Sequence, residues 1–148
     1  MSDWWTVMML ISGGLFAGGV ISIAWERIPA WRRADLQEFQ ANFAHTLRRV
    51  DRLQPALLAV CLVSTIGFGI NAGGAARGLA VAAAAGCLVT LAGSLAWLVP
   101  IQRRLVAQGS VPSSAAIERL RARWFSGHLI RSAAAVALFS LAVAAAVV

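Results

Sequence analysis

The sequence predicts an all-α protein: an integral membrane four-helix bundle with an additional amphipathic helix between the first and second spans. Three observations predict it. Of the 148 residues, 59% are hydrophobic and only 13% are charged, with a mean hydropathy of +0.74, more apolar side chain than one soluble core of this size can hide. The charged residues delimit long clean runs: 22 residues between Asp3 and Glu26, 24 between Arg52 and Arg77, and 25 between Arg77 and Arg103. A last run, from Trp124 to Val148, is broken only by Arg131. Each run is long enough to cross about 30 Å of hydrocarbon at about 1.5 Å per residue. No strand-like alternation competes, so helices are the spanning elements. The chain forms a single membrane domain over residues 1–148, with spans at about 5–25, 53–72, 77–99 and 124–147 and the amphipathic helix at about 34–50.

The first span contains Ser12-Gly13-Gly14 and Ala17-Gly18-Gly19, so small residues recur four apart and let a neighbouring helix approach closely. It lacks a basic leader and a small-residue cleavage site, and reads as a retained helix. The Ile28-Pro29-Ala30 stretch is expected to end it. In the following segment, Leu36, Phe39, Phe43, Leu47 and Val50 form one apolar stripe at spacings of three and four, opposite Glu38, Asn42, His45, Arg49 and Arg52. That helix lies along the membrane interface, covers the inner end of the bundle, or runs on into span two as one long rod with any bend at Pro55. Pro55 marks the start of span two. Asn71-Ala72-Gly73-Gly74 makes a tight turn to span three, which closes on Trp97-Leu98-Val99-Pro100, an interfacial aromatic and a helix-ending proline. After a loop around Gly109-Ser110, Ser113 or Ser114 caps a helix that continues into span four. Cys61 and Cys87 lie inside apolar runs without metal or redox spacing; buried small side chains are the default, and a bridge between spans two and three is the alternative.

All thirteen basic residues are arginine. Arg27, Arg32, Arg33, Arg48, Arg49 and Arg52 lie between spans one and two, and Arg103, Arg104, Arg119, Arg121, Arg123 and Arg131 between span three and the start of span four. Only Arg77 falls in the turn between spans two and three. The positive-inside rule therefore puts both Arg-rich connections in the cytoplasm and both termini outside, in a multi-pass protein of the cell's inner (plasma) membrane. The net charge of +7 does not point to nucleic acid, since no aromatic interleaving or binding module accompanies it. The expected partners are the lipid bilayer and a hydrophobic small molecule, with a homo-oligomer left open.

Polar side chains in apolar spans are the informative ones. Trp124, His128 and Arg131, four and three apart, share one face of the fourth helix. The structural alternative for Arg131 is to snorkel back to the interface with its stem on Trp124. Helix alternation brings Glu26, His45, Asp51 and Gln102 to the same end of the bundle. His128, His45 and Arg131 are the candidate catalytic residues; Trp124, Glu26, Asp51 and Gln102 are candidate substrate contacts. For His45, a solvated position on a polar helix face is the plain alternative.

The segment Trp124-Phe125-Ser126-Gly127-His128-Leu129-Ile130-Arg131, preceded by Val99-Pro100-Ile101-Gln102, resembles the anthrone oxygenase-like family of small four-helix membrane proteins. The family pattern has Val-Pro and then an amide residue, often Asn where this chain has Gln102, followed by a Trp and an Arg seven apart. The resemblance implies oxidation of an anthrone-like substrate by molecular oxygen, with no cofactor firmly implied. The residues suit that chemistry. A histidine, His128 or His45, can remove a carbon-bound proton. Arg131 can stabilise the enolate oxygen, and Trp124 can stack on a flat ring. Glu26 or Asp51 can orient the histidine. Two alternatives stand beside this reading. One is a metal or haem protein using His45, His128 and Glu26, although no paired ligand spacing such as H-x-x-x-H occurs. The other is a non-enzymatic bundle that binds lipid or quinone or assists assembly. A transporter fits less well, without broken-helix pairs or intramembrane carboxylates.

Overall fold

Helices account for the folded chain because no stretch offers strand alternation and every long apolar run must satisfy its own backbone in lipid. The structure, a computed structural model, describes residues 2–50, 53–107 and 113–148. In chain order these form α1 (Ser2–Ser22), a π-helical turn (Ile23–Arg27), α2 (Ile28–Arg33), α3 (Leu36–Val50), α4 (Leu53–Asn71), α5 (Gly74–Gly93), a second π-helical turn (Ser94–Leu98), α6 (Val99–Val106) and α7 (Ser114–Val147). Four helical stretches, Trp4–Arg33, Leu36–Asn71, Gly74–Val106 and Ser114–Val147, are long and apolar enough to cross a membrane. The protein is a multi-pass membrane protein with an all-α four-helix bundle.

The four spans pack as a ring. α1 lies against α4 and α7, and α5 against the same two neighbours. Small residues line the interior, with Ala17, Ala80, Ala83, Ala135, Ala142 and Ala145 buried, while Ile11, Leu15, Val63, Val89 and Ile130 face outward. That is the pattern expected when helices associate by close packing in lipid. Cys61 and Cys87 face each other across the middle of the bundle as free thiols, their sulfurs 3.9 Å apart. At the turn between α4 and α5, Gly74 takes φ +52, and Arg77 Nε donates to Ala72 O at 2.9 Å, capping the carbonyls at the end of α4.

The two prolines do not end their helices as expected. Pro29 and Pro100 each follow a π-helical turn, and the chain continues as α2 and α6. A proline inside a helix collides with the carbonyl four residues back and withdraws a donor. Here the wider turn absorbs that conflict: Ile28 N–H bonds Ile23 O, and Val99 N–H bonds Ser94 O, five residues back in both cases. Each helix then carries an arginine pair, Arg32-Arg33 or Arg103-Arg104, past the apolar zone.

The amphipathic helix α3 covers the Arg-rich end of the bundle. Asp35 caps it, Oδ1 accepting from Glu38 N–H at 2.8 Å. Phe39 and Phe43 are fully buried and pack in edge-to-face contacts with Trp31 of α2. Phe43 also meets Trp124 at 4.8 Å, and Phe39 meets Phe125 at 5.9 Å. Ile101, Leu105 and Ile117 complete this inner core. Two polar clasps hold the docking. Gln40 Nε2 donates to Leu105 O at 3.2 Å, and Arg121 Nη1 donates to Ala34 O at 3.1 Å at the end of α2, with its guanidinium over the Phe39 ring.

Candidate functional site

His128 sits in α7 where that helix passes behind α1, and it is completely buried. Arg131, one turn further along, donates from Nη2 to His128 Nδ1 at 3.0 Å. Arginine has donors and no acceptor, so Nδ1 carries the lone pair and the ring hydrogen resides on Nε2. Nε2–H then donates to Val20 O of α1 at 3.0 Å. Ser132 Oγ donates to its own helix at His128 O (2.9 Å) and lies 3.3 Å from the same Val20 O. Trp124 stacks on the imidazole, with ring centres 4.8 Å apart and planes at 22°. Trp31 and Phe43 meet Trp124 edge to face.

This arrangement changes what these residues can do. Both nitrogens of His128 are engaged by the protein, so it has no lone pair facing a substrate. One face of Trp124 is covered by His128, and Phe43 and Trp31 pack beside it, so Trp124 offers a ligand its edge and not a stacking surface. Trp124, His128 and Arg131 do share a helix face and touch as a set, but together they tie α7 to α1.

His45 and Glu26 lie elsewhere. Both are exposed and line a groove of about 430 Å³ between α1, α3 and α4, together with Arg49 and Gln54. Leu15, Leu53 and Leu57 continue the groove along the apolar part of the spans. Glu26 is 3.9 Å from Arg27 in an exposed and weak ion pair. His45 lines this groove and His128 does not, so the two histidines are not brought to one site. Asp51 lies outside the described residues.

Gln102 is buried behind the groove, lining a second cavity of about 10 Å³ with Trp124, Arg131 and Gln54. Gln54 is the residue that sequence reasoning passes over. It is 4% exposed, borders both cavities, and lies so close to α1 that a Cβ on Gly19 would fall 2.2 Å from its Nε2. An amide at the mouth of an apolar span, one residue before Pro55, was the available signal. The Val20 carbonyl had no signal, because a backbone acceptor carries no residue type.

For a metal or haem, the donor set is a poor fit. Nδ1 and Nε2 of His128 are committed to Arg131 and Val20, and among the described residues no three of His, Cys, Asp or Glu gather in one place. Comparison of the chain with family models, with curated proteins and with solved structures finds no match.

Proposed function

We propose that the chain is a membrane-embedded, oxygenase-like protein that takes a hydrophobic molecule of the polycyclic aromatic or quinone type into the groove between α1, α3 and α4. The observation that carries the binding half is the groove itself. Its volume of about 430 Å³ lies in the usual range for small-molecule sites, and it is apolar along Leu15, Leu53 and Leu57 and polar at Glu26, His45 and Arg49. Twelve of the thirteen arginines flank this end, which supports a cytoplasmic position for it and outward-facing termini in the inner membrane.

The reaction half rests on the resemblance carried by Val99-Pro100-Ile101-Gln102 and the Trp124 to Arg131 segment. A histidine can serve as a general base, and His45 is the histidine that lines the groove. In this reading His45 removes a proton from the ring methylene of an anthrone-like carbon acid, and Arg49 faces the resulting enolate oxygen. The anion reacts with molecular oxygen to a hydroperoxide, and loss of water leaves a ketone. One oxygen atom enters the product and the other leaves as water.

The test is oxygen uptake and anthraquinone formation from anthrone by the purified protein in lipid nanodiscs, against empty nanodiscs. Acceleration is expected, with a loss of about 100-fold or more in His45→Gln at unchanged melting temperature, the scale of general-base catalysis. Binding of anthrone without turnover would leave a non-enzymatic lipid or quinone binder. Absence of binding would remove both halves.

A further inference from the structure

Two buried polar atoms beside the groove have no hydrogen-bond partner among the described residues: Gln54 Oε1, an acceptor, and Trp124 Nε1–H, a donor. Their residues are 4% and 2% exposed. Both side chains line the same cavity of about 10 Å³, with Gln102 and Arg131 also on its wall, and it is room for about one water-sized oxygen. Buried polar groups in folded proteins are paired almost without exception, so two in one small space call for a common partner.

The chemistry of that partner is narrow. A carbonyl oxygen would accept from Trp124 and leave Gln54 Oε1 unmet. An ammonium would donate to Gln54 and leave the indole N–H unmet. An oxygen that carries a hydrogen meets both. The cavity also abuts the groove, because Ile23, Thr46, Val50 and Gln54 line the two together. Thr46 Oγ1 has no hydrogen left for Gln54 Oε1, since it donates to Asn42 O of its own helix at 3.0 Å.

We propose that the space between Gln54 and Trp124 is a hydroxyl subsite at the inner end of the groove, filled by one oxygen that donates to Gln54 Oε1 and accepts from Trp124 Nε1. The oxygen is a ring-bound hydroxyl of the ligand or a water. The first source rests on the groove being a ligand site; the second does not.

Two measurements on the full chain in nanodiscs separate these sources. The first compares binding of 1-naphthol with that of naphthalene, which has the same rings without the hydroxyl. A ligand hydroxyl predicts a preference of about tenfold for 1-naphthol, and Gln54→Met and Trp124→Phe should each bring the ratio of the two affinities close to one. The second is ultraviolet resonance Raman spectroscopy, with the Trp124→Phe difference spectrum isolating the indole N–H of Trp124. A hydrogen-bonded N–H in ligand-free protein that shifts in Gln54→Met identifies water. Equal binding of the two probes together with an N–H free of hydrogen bonding, in both ligand-free and 1-naphthol-loaded protein, overturns the subsite. If neither probe binds, the groove reading fails, and the Raman measurement alone decides between a water-filled subsite and none.

Discussion

Arg131 donates to Nδ1 of His128 at 3.0 Å, and that single bond decides the state of the histidine. The guanidinium cannot accept, so the imidazole is neutral and keeps its hydrogen on the side of Val20 O. An intramembrane arginine is costly unless its charge finds acceptors. One acceptor here is a ring that is itself anchored to the neighbouring span. The pair is therefore a joint between α7 and α1.

His128→Ala removes an acceptor from Arg131 and a donor from Val20 O. A loss of about 2–3 kcal/mol is expected, the scale of a buried hydrogen bond to a charged group. His128→Gln, which has both an acceptor and a donor, should recover part of it. Thermal unfolding in detergent measures both; a melting temperature unchanged in His128→Ala would show that the joint carries no stability.

Arg121 should matter for the cover and not for the spans. It donates to Ala34 O and pairs with Glu118 at 2.8 Å, while its side chain lies over Phe39. Arg121→Ala is expected to weaken α3 docking by about 1–3 kcal/mol. Arg121→Lys should restore little, because a point charge cannot reproduce the planar fork. Hydrogen exchange of residues 36–50 reads the effect directly.

Phe43→Ala opens the aromatic cluster at its centre, where the ring touches Trp31, Phe39 and Trp124. Truncating a buried phenylalanine costs about 3–5 kcal/mol. The expected result is faster proteolysis in α3 with helical content of the spans retained. Loss of the whole bundle's helicity would mean that α3 is integral to its folding.

Gly67→Ala places a Cβ within 2.6–2.8 Å of the Trp5 ring, which packs across that glycine. Overpacking of this kind costs about 1–3 kcal/mol. Trp5→Ala in the same chain should relieve the strain, so the two substitutions together should be less harmful than their sum. Four melting temperatures complete that cycle.

Much of the architecture was legible in the residues. The apolar runs between Asp3, Glu26, Arg52, Arg77 and Arg103 outline the spans, and the stripe from Leu36 to Val50 marks α3 with its buried face. The prolines misled, since Pro29 and Pro100 predict helix ends by a local clash, and a π-helical turn removes that clash at the cost of one residue of register. The candidate site was legible only as a set of residue types at one end of the bundle. Trp124, His128 and Arg131 sharing a helix face followed from spacing alone. That His128 turns to a backbone carbonyl 108 residues away did not.

The sequence by itself therefore determined the elements: four spans, an amphipathic helix, and charge collected at one end. These follow from local periodicity and from the need of every backbone group in lipid to bond within its own helix. Only the tertiary structure decided that α3 covers the bundle, that His45 and His128 belong to different places, and that Gln54 borders both cavities. Those outcomes depend on which faces of distant helices meet, and the packing of small residues such as Gly19 opposite Gln54 is set in space and not along the chain.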